Sequence, residues 1–114
     1  MNKISQHSIF EIQADLCRCM SNTTRIEIVH CLRDGPERVS EIARITGHSQ
    51  AMISRHLGLL RNGGVVNAKH HAQEVVYQIA NSKIVDICDL MREVLAEEAF
   101  HQSELAEGFN QGSP

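Results

Sequence analysis

Val39-Ser40-Glu41-Ile42-Ala43-Arg44-Ile45-Thr46, then Gly47-His48-Ser49, then Gln50-Ala51-Met52-Ile53-Ser54-Arg55-His56-Leu57-Gly58-Leu59-Leu60-Arg61: this run decides the fold. Val39, Ile42, Ala43 and Ile45 recur at helical spacing, which predicts a short amphipathic helix over 39–46 with Ser40 helping to cap its start. Gly47 can take a positive φ at little cost and so opens a tight turn. Ile53, Leu57 and Leu60 then line one side of a second helix over 50–61, stopped by Gly63-Gly64. Two short helices around a glycine turn form a helix-turn-helix unit.

Downstream the period changes from helical to alternating. Val65-Val66, polar residues to Gln73, and Val75-Val76-Tyr77 with Ile79 predict two strands around a turn at residues 70–72, a hairpin wing directly after the second helix. Asn81-Ser82 caps a last helix with a wide apolar stripe of Ile84, Ile87, Cys88, Met91, Val94 and Leu95. Upstream, Ser8-Ile9-Phe10-Glu11 has the capping-box pattern and predicts a first helix over 8–20. Asn22 caps a second helix carrying Ile26, Val29 and Leu32 and ending near Asp34-Gly35-Pro36. The predicted class is mainly α with a small β-hairpin: four helices, a hairpin and a fifth helix, arranged as a winged helix-turn-helix. The prediction is one folded domain over residues 1–100, with 101–114 a polar, frayed tail.

The 114-residue chain is 42% hydrophobic with no Trp, one Tyr and three Phe, so its core is built from aliphatic residues and Met. A chain this short buries a modest core, which makes a dimer interface a source of further burial. No apolar run approaches the roughly 18 residues of a membrane span, and Met1 to Glu11 has no apolar signal region, which places the protein in the cytoplasm with reduced cysteines. The net charge of −3 hides an asymmetry. From Ile42 to Gln73 there is no Asp or Glu, but there are Arg44, Arg55, Arg61, Lys69 and four histidines, whereas the segment from Glu74 onward is acidic. A basic face on an acidic protein suits reversible DNA binding. No nucleophile-base-acid set or phosphate loop points to an enzyme.

Several segments together resemble the ArsR/SmtB family of winged helix-turn-helix transcriptional repressors. Asn22-Thr23-Thr24-Arg25-Ile26-Glu27-Ile28 resembles the family's entry to its second helix, and Val39-Ser40-Glu41-Ile42-Ala43 its third. Ser49 to Leu57 resembles its recognition helix, Leu60 to Val66 the approach to the wing, and Val75-Val76-Tyr77 the second wing strand. The resemblance covers roughly Leu16 to Leu95. It implies a homodimeric repressor that leaves its operator when a metal ion, metalloid or other thiol-reactive signal binds. Two sensory features of the family are absent. Arg38-Val39-Ser40 stands where a Cys-Val-Cys metal motif is found, and Lys83 and Val94 stand where last-helix ligands are expected.

Ser49, Gln50, Ser54 and Arg55 offer base-reading groups along the recognition helix, because Gln pairs with adenine and Arg with guanine in the major groove. Met52 can pack on a thymine methyl, and His56 is placed on the same face. Lys69, His70, His71 and Gln73 of the wing, with Arg44 and Arg61, are candidates for backbone contacts.

The four cysteines are Cys17, Cys19, Cys31 and Cys88. Cys17 and Cys19 lie about 200° apart around a helix. The resemblance implies that the first and last helices form the dimer interface, bringing Cys17 or Cys19 near Cys88. This proposes Cys17, Cys19 and Cys88 as a sensor, with Cys31 either structural or paired with Cys88. A soft ion such as As(III), Cd(II), Pb(II) or Zn(II) is the candidate ligand. The alternative is a winged-helix module without ligand sensing, its cysteines filling space.

Overall fold

The computed structural model describes residues 6–111, with side chains described for residues 8–104. The order is α1 (Gln6–Cys19), α2 (Thr23–Cys31), β1 (Glu37–Arg38), α3 (Val39–Thr46), α4 (Gln50–Asn62), β2 (Val66–His71), β3 (Glu74–Ile79) and α5 (Lys83–Gln111).

α1 begins two residues before Ser8, so Ser8 is an interior helical residue and not the cap. A Ser followed by Glu at the third place also fits inside a first turn, and Gln6 is an adequate helix former. Asn22 does cap α2: its φ of −156° is extended, and its Oδ1 accepts from the Arg25 N–H at 3.1 Å. α3 starts without a side-chain cap, and Ser40 is its second residue. The chain enters α3 directly from β1, which pairs antiparallel with β3 through Glu37–Tyr77 and Arg38–Val76. Two residues carry no periodicity, so β1 had no sequence signal. With it the wing becomes a three-stranded antiparallel sheet in the order β1-β3-β2.

Gly47 ends α3 with φ 79°, its N–H donating to the Ala43 carbonyl at 2.9 Å. Ser49 then caps α4, its Oγ accepting from the Met52 N–H at 3.1 Å. β2 and β3 are joined through a tight turn at Ala72-Gln73, with His71 paired to Glu74. Ala72 takes a positive φ of 60° there, a conformation that glycine adopts with less strain.

Ile28, Val29 and Leu32 of α2, Ile42 and Ala43 of α3, Ile53, Leu57 and Leu60 of α4, and Val65 and Val66 form one core, which Cys88 of α5 joins. The predicted inward residues of α4 are therefore the fully buried ones. α1 adds only partly buried Leu16 and Cys19, joined by Met20 in the turn that follows it. Ile9, Phe10 and Ile12 of α1 and Ile87, Leu90, Met91, Val94, Leu95 and Phe100 of α5 are exposed. α5 continues as helix through residues 101–111, the stretch expected as a frayed tail, while Gly112-Ser113-Pro114 lie outside the described residues.

Candidate nucleic-acid interface

α4 has two unlike sides. Burial of Ile53, Leu57 and Leu60 fixes its rotation about its own axis. Gln50, Ala51, Ser54, Arg55, Gly58 and Arg61 are consequently exposed, with Met52 half-buried beside them. A helix whose N-terminal turn and outer face carry Ser, Gln and Arg can enter a major groove and reach base edges.

His56 departs from the expected set. It is 3% exposed, and its ring points into the domain, away from the outer face. Helical geometry places residue 56 about 60° from Ile53, on the core side. Its Nδ1 lies 3.2 Å from Arg25 Nη1 and its Nε2 lies 3.4 Å from Arg55 Nη2. Burial first, and then Arg55, Arg25 and His48, depress its pKa, so the ring is held neutral. His56 is thus removed from the residues that can touch DNA directly.

The flanking cations stand as follows. Arg44 is exposed on α3 and paired with Glu41, at 3.0 Å from Nε and 2.6 Å from Nη2. Its hydrogen bond holds the Glu41 carboxyl below the usual range. Arg61, Lys69, His70, His71 and Gln73 are exposed. Adjacent strand residues face opposite sides of a sheet, so His70 and His71 do not converge on one ion. The turn of the helix-turn-helix is tied to α2 by His48 Nε2 and Glu27 Oε1 at 2.9 Å, a contact that the sequence alone did not suggest.

The cysteines separate into three environments. Cys17 is exposed and Cys88 buried, yet both line one cavity of about 340 Å³ between α1 and α5, walled by Leu16, Met20, Ile26, Ile84, Ile87 and Met91. Burial pushes the Cys88 thiol up, which keeps it protonated. Cys19 is turned elsewhere: its Sγ lies 3.8 Å from the Leu59 carbonyl at the end of α4. Cys31 faces a second cavity with Glu27, His30, Thr46 and Arg92. Among the described residues, no cluster of three or more His, Cys, Asp or Glu side chains could hold a metal ion. Beside Cys88, Asp89 receives a two-pronged bond from Arg33 at 2.8 and 2.9 Å and one from Arg92, which hold its carboxyl down at about 2.

The family model for bacterial regulatory proteins of the arsR family matches residues 22–68, the stretch from the α2 cap through α4 into β2. The HTH-type transcriptional regulator YgaV of Escherichia coli is 32% identical over 85 residues, covering 74% of this chain and 86% of that protein. The chain belongs to the ArsR family. This ArsR-family protein is also 29% identical over 82 residues to the transcriptional activator HlyU of Vibrio cholerae, covering 72% and 76% of the two chains. In structure it is similar to a homodimeric winged helix-turn-helix DNA-binding domain from Mycobacterium bovis, with a TM-score of 0.78, 25% identity, and 89% and 93% of the chains covered. It is therefore a DNA-binding transcriptional regulator with a winged helix-turn-helix fold, from a family of regulators and not of enzymes. Among the described residues, no helix is long and apolar enough to cross a membrane.

Proposed function

We propose that the protein is a cytoplasmic homodimeric repressor that reads its operator with α4 and releases it when a thiol-directed signal acts at the cavity shared by Cys17 and Cys88. Within it, residues 1–100 serve as the DNA-binding and dimerisation domain. Val94, Leu95 and Phe100 of α5 are 62%, 67% and 66% exposed, and Ile12 of α1 is 57% exposed, a larger apolar face than a lone domain leaves in water. A second copy applied through a two-fold axis covers it and sets two α4 helices at a fixed spacing. Ser49, Gln50, Met52, Ser54 and Arg55 then reach bases, and Arg44, Arg61, Lys69, His70, His71 and Gln73 reach the backbone.

The observation that carries the sensing part is the meeting of Cys17 and Cys88 at one cavity between the two helices proposed to dimerise. A ligand held there changes the angle between α1 and α5 and, through the two-fold, the separation of the recognition helices. Cys17 is the accessible thiol and the first point of attack, while buried Cys88 reacts once the cavity opens. A thiol-reactive agent and a soft ion or metalloid held by these two thiols are both ligands of this class.

Release from a duplex that the protein selects from a random pool tests this. Arsenite, Cd(II) and a persulfide donor are titrated against wild type and the Cys→Ser variants at 17, 19, 31 and 88. The reading expects at least one agent to release the wild type, and neither Cys17→Ser nor Cys88→Ser to follow. Equal release of all variants, or no release of the wild type, refutes the sensor.

A further inference from the structure

Buried His56 sits between two arginines with very different surroundings. Arg25, in the first turn of α2, is anchored: its Nε donates to the Cys19 carbonyl at the end of α1 at 2.6 Å, and its Nη1 lies 3.2 Å from His56 Nδ1. Arg55, on the exposed side of α4, lies 3.4 Å from His56 Nε2. The groups facing the ring are Arg25 from α2, Arg55 from α4 itself and His48 from the α3–α4 turn.

A neutral imidazole has one N–H and one bare nitrogen, and a guanidinium has donors only. The ring can therefore accept from one of the two arginines at a time, the other nitrogen turning its own N–H toward a donor. With Nδ1 bare, Arg25 is bonded and Arg55 is left without an anchor in the protein. With Nε2 bare, Arg55 is held back against the domain, and Arg25 keeps only its bond to the Cys19 carbonyl.

We propose that His56 is a positioning residue for DNA reading: its Nε2–H tautomer, fixed by Arg25, releases the Arg55 guanidinium toward the operator, and its Nδ1–H tautomer retains it. The contact between half-buried Arg25 and buried His56 then links the end of α1 to the α4 side chain that reads a base. Burial keeps the ring neutral, so that the choice is between tautomers and not between charge states. The inference rests on the assignment of Arg55 to DNA made above, and its tests separate the two.

An asparagine at this position carries its acceptor near the place of Nδ1, and a glutamine near that of Nε2. On the duplex selected by the wild type, His56→Gln is expected to bind about tenfold more weakly than His56→Asn, the worth of one hydrogen bond to a charged group. In an Arg55→Ala background the two are expected to bind alike. Equal affinities with Arg55 present, or a difference that survives Arg55→Ala, overturns the positioning role. Unchanged specific binding of Arg55→Ala alone overturns instead the assignment of Arg55 to DNA, and the inference with it. A measurement without substitution decides the case if either variant unfolds: imidazole ¹⁵N spectra of wild-type protein on the duplex. A protonated Nε2 and bare Nδ1 at His56 support the proposal; a bare Nε2 or an imidazolium overturns it.

Discussion

Replacing Gly63 by Ala tests the placement of Cys19 at the end of α4, and so the division of the neighbouring cysteines into a packing residue and a reactive one. Gly63 has φ −81°, which alanine adopts without strain. Removing a glycine from the unfolded chain is by itself worth about 0.4–1 kcal/mol of stability. A Cβ on Gly63, however, would stand 2.7 Å from Cys19 Sγ and 3.4 Å from Cys19 Cβ, with the Leu59 carbonyl at 3.5 Å. Overpacking of this kind costs about 1–3 kcal/mol, which exceeds the gain. The net expectation for Gly63→Ala is a loss of about 1 kcal/mol. In a Cys19→Ala background the close contact is gone, and the same change is expected to stabilise by roughly 0.5 kcal/mol. The coupling between the two sites is then about 1.5 kcal/mol, within the range for residues in contact. Urea unfolding of wild type, both single variants and the double variant measures it, at one protomer concentration because assembly shifts apparent stability. If Gly63→Ala costs the same with and without the Cys19 thiol, Cys19 does not pack against α4 and is again a candidate sensor.

Arg55→Ala is expected to weaken specific DNA binding by about 1–3 kcal/mol and relax preference at one position per half-site, whereas Lys69→Ala lowers affinity for all sequences and reduces the salt slope by about 1; titrations at several salt concentrations compare them. Ala72→Gly relieves a positive-φ alanine at the wing tip and is expected to raise stability by about 1 kcal/mol in urea unfolding. The pKa of His56 is depressed in the fold, so the unfolded chain takes up the proton first. Its contribution to stability is complete above about pH 6.5 and is lost as pH falls below that value, so wild type is expected to lose more stability between pH 7 and pH 5 than His56→Gln. Asp89 works in a lower window: its carboxyl, at about 2 against an ordinary 3.8, supports the fold above pH 3.8 and ceases to do so toward pH 2, so Asp89→Asn is expected to flatten acid unfolding there.

The parts of the fold written in local periodicity could be read directly. α3 and α4 follow from their apolar spacing and from Gly47, the wing from the switch to alternation, and the α2 cap from Asn22. The parts that depend on distant partners could not. β1 is two residues long and exists through its pairing with β3 some 40 positions on, as Glu37 opposite Tyr77 shows. His56 carries a polar side chain next to reading residues and so looked like one of them. Its burial depends on Arg25, a partner 31 positions away that satisfies it inside the domain. The sequence placed Cys17 and Cys19 on different sides of a helix but could not say which side faced α5. That was decided by the packing of Cys19 against Leu59 and Gly63.

The central claim is that two α4 helices of a homodimer read DNA, and selection from a random duplex pool tests it most directly when combined with the stoichiometry of the selected complex. The account predicts enrichment of an inverted repeat with half-site centres about 10 base pairs, or a multiple, apart, bound by two protomers. No enriched sequence, or a single half-site bound by one protomer, would contradict it.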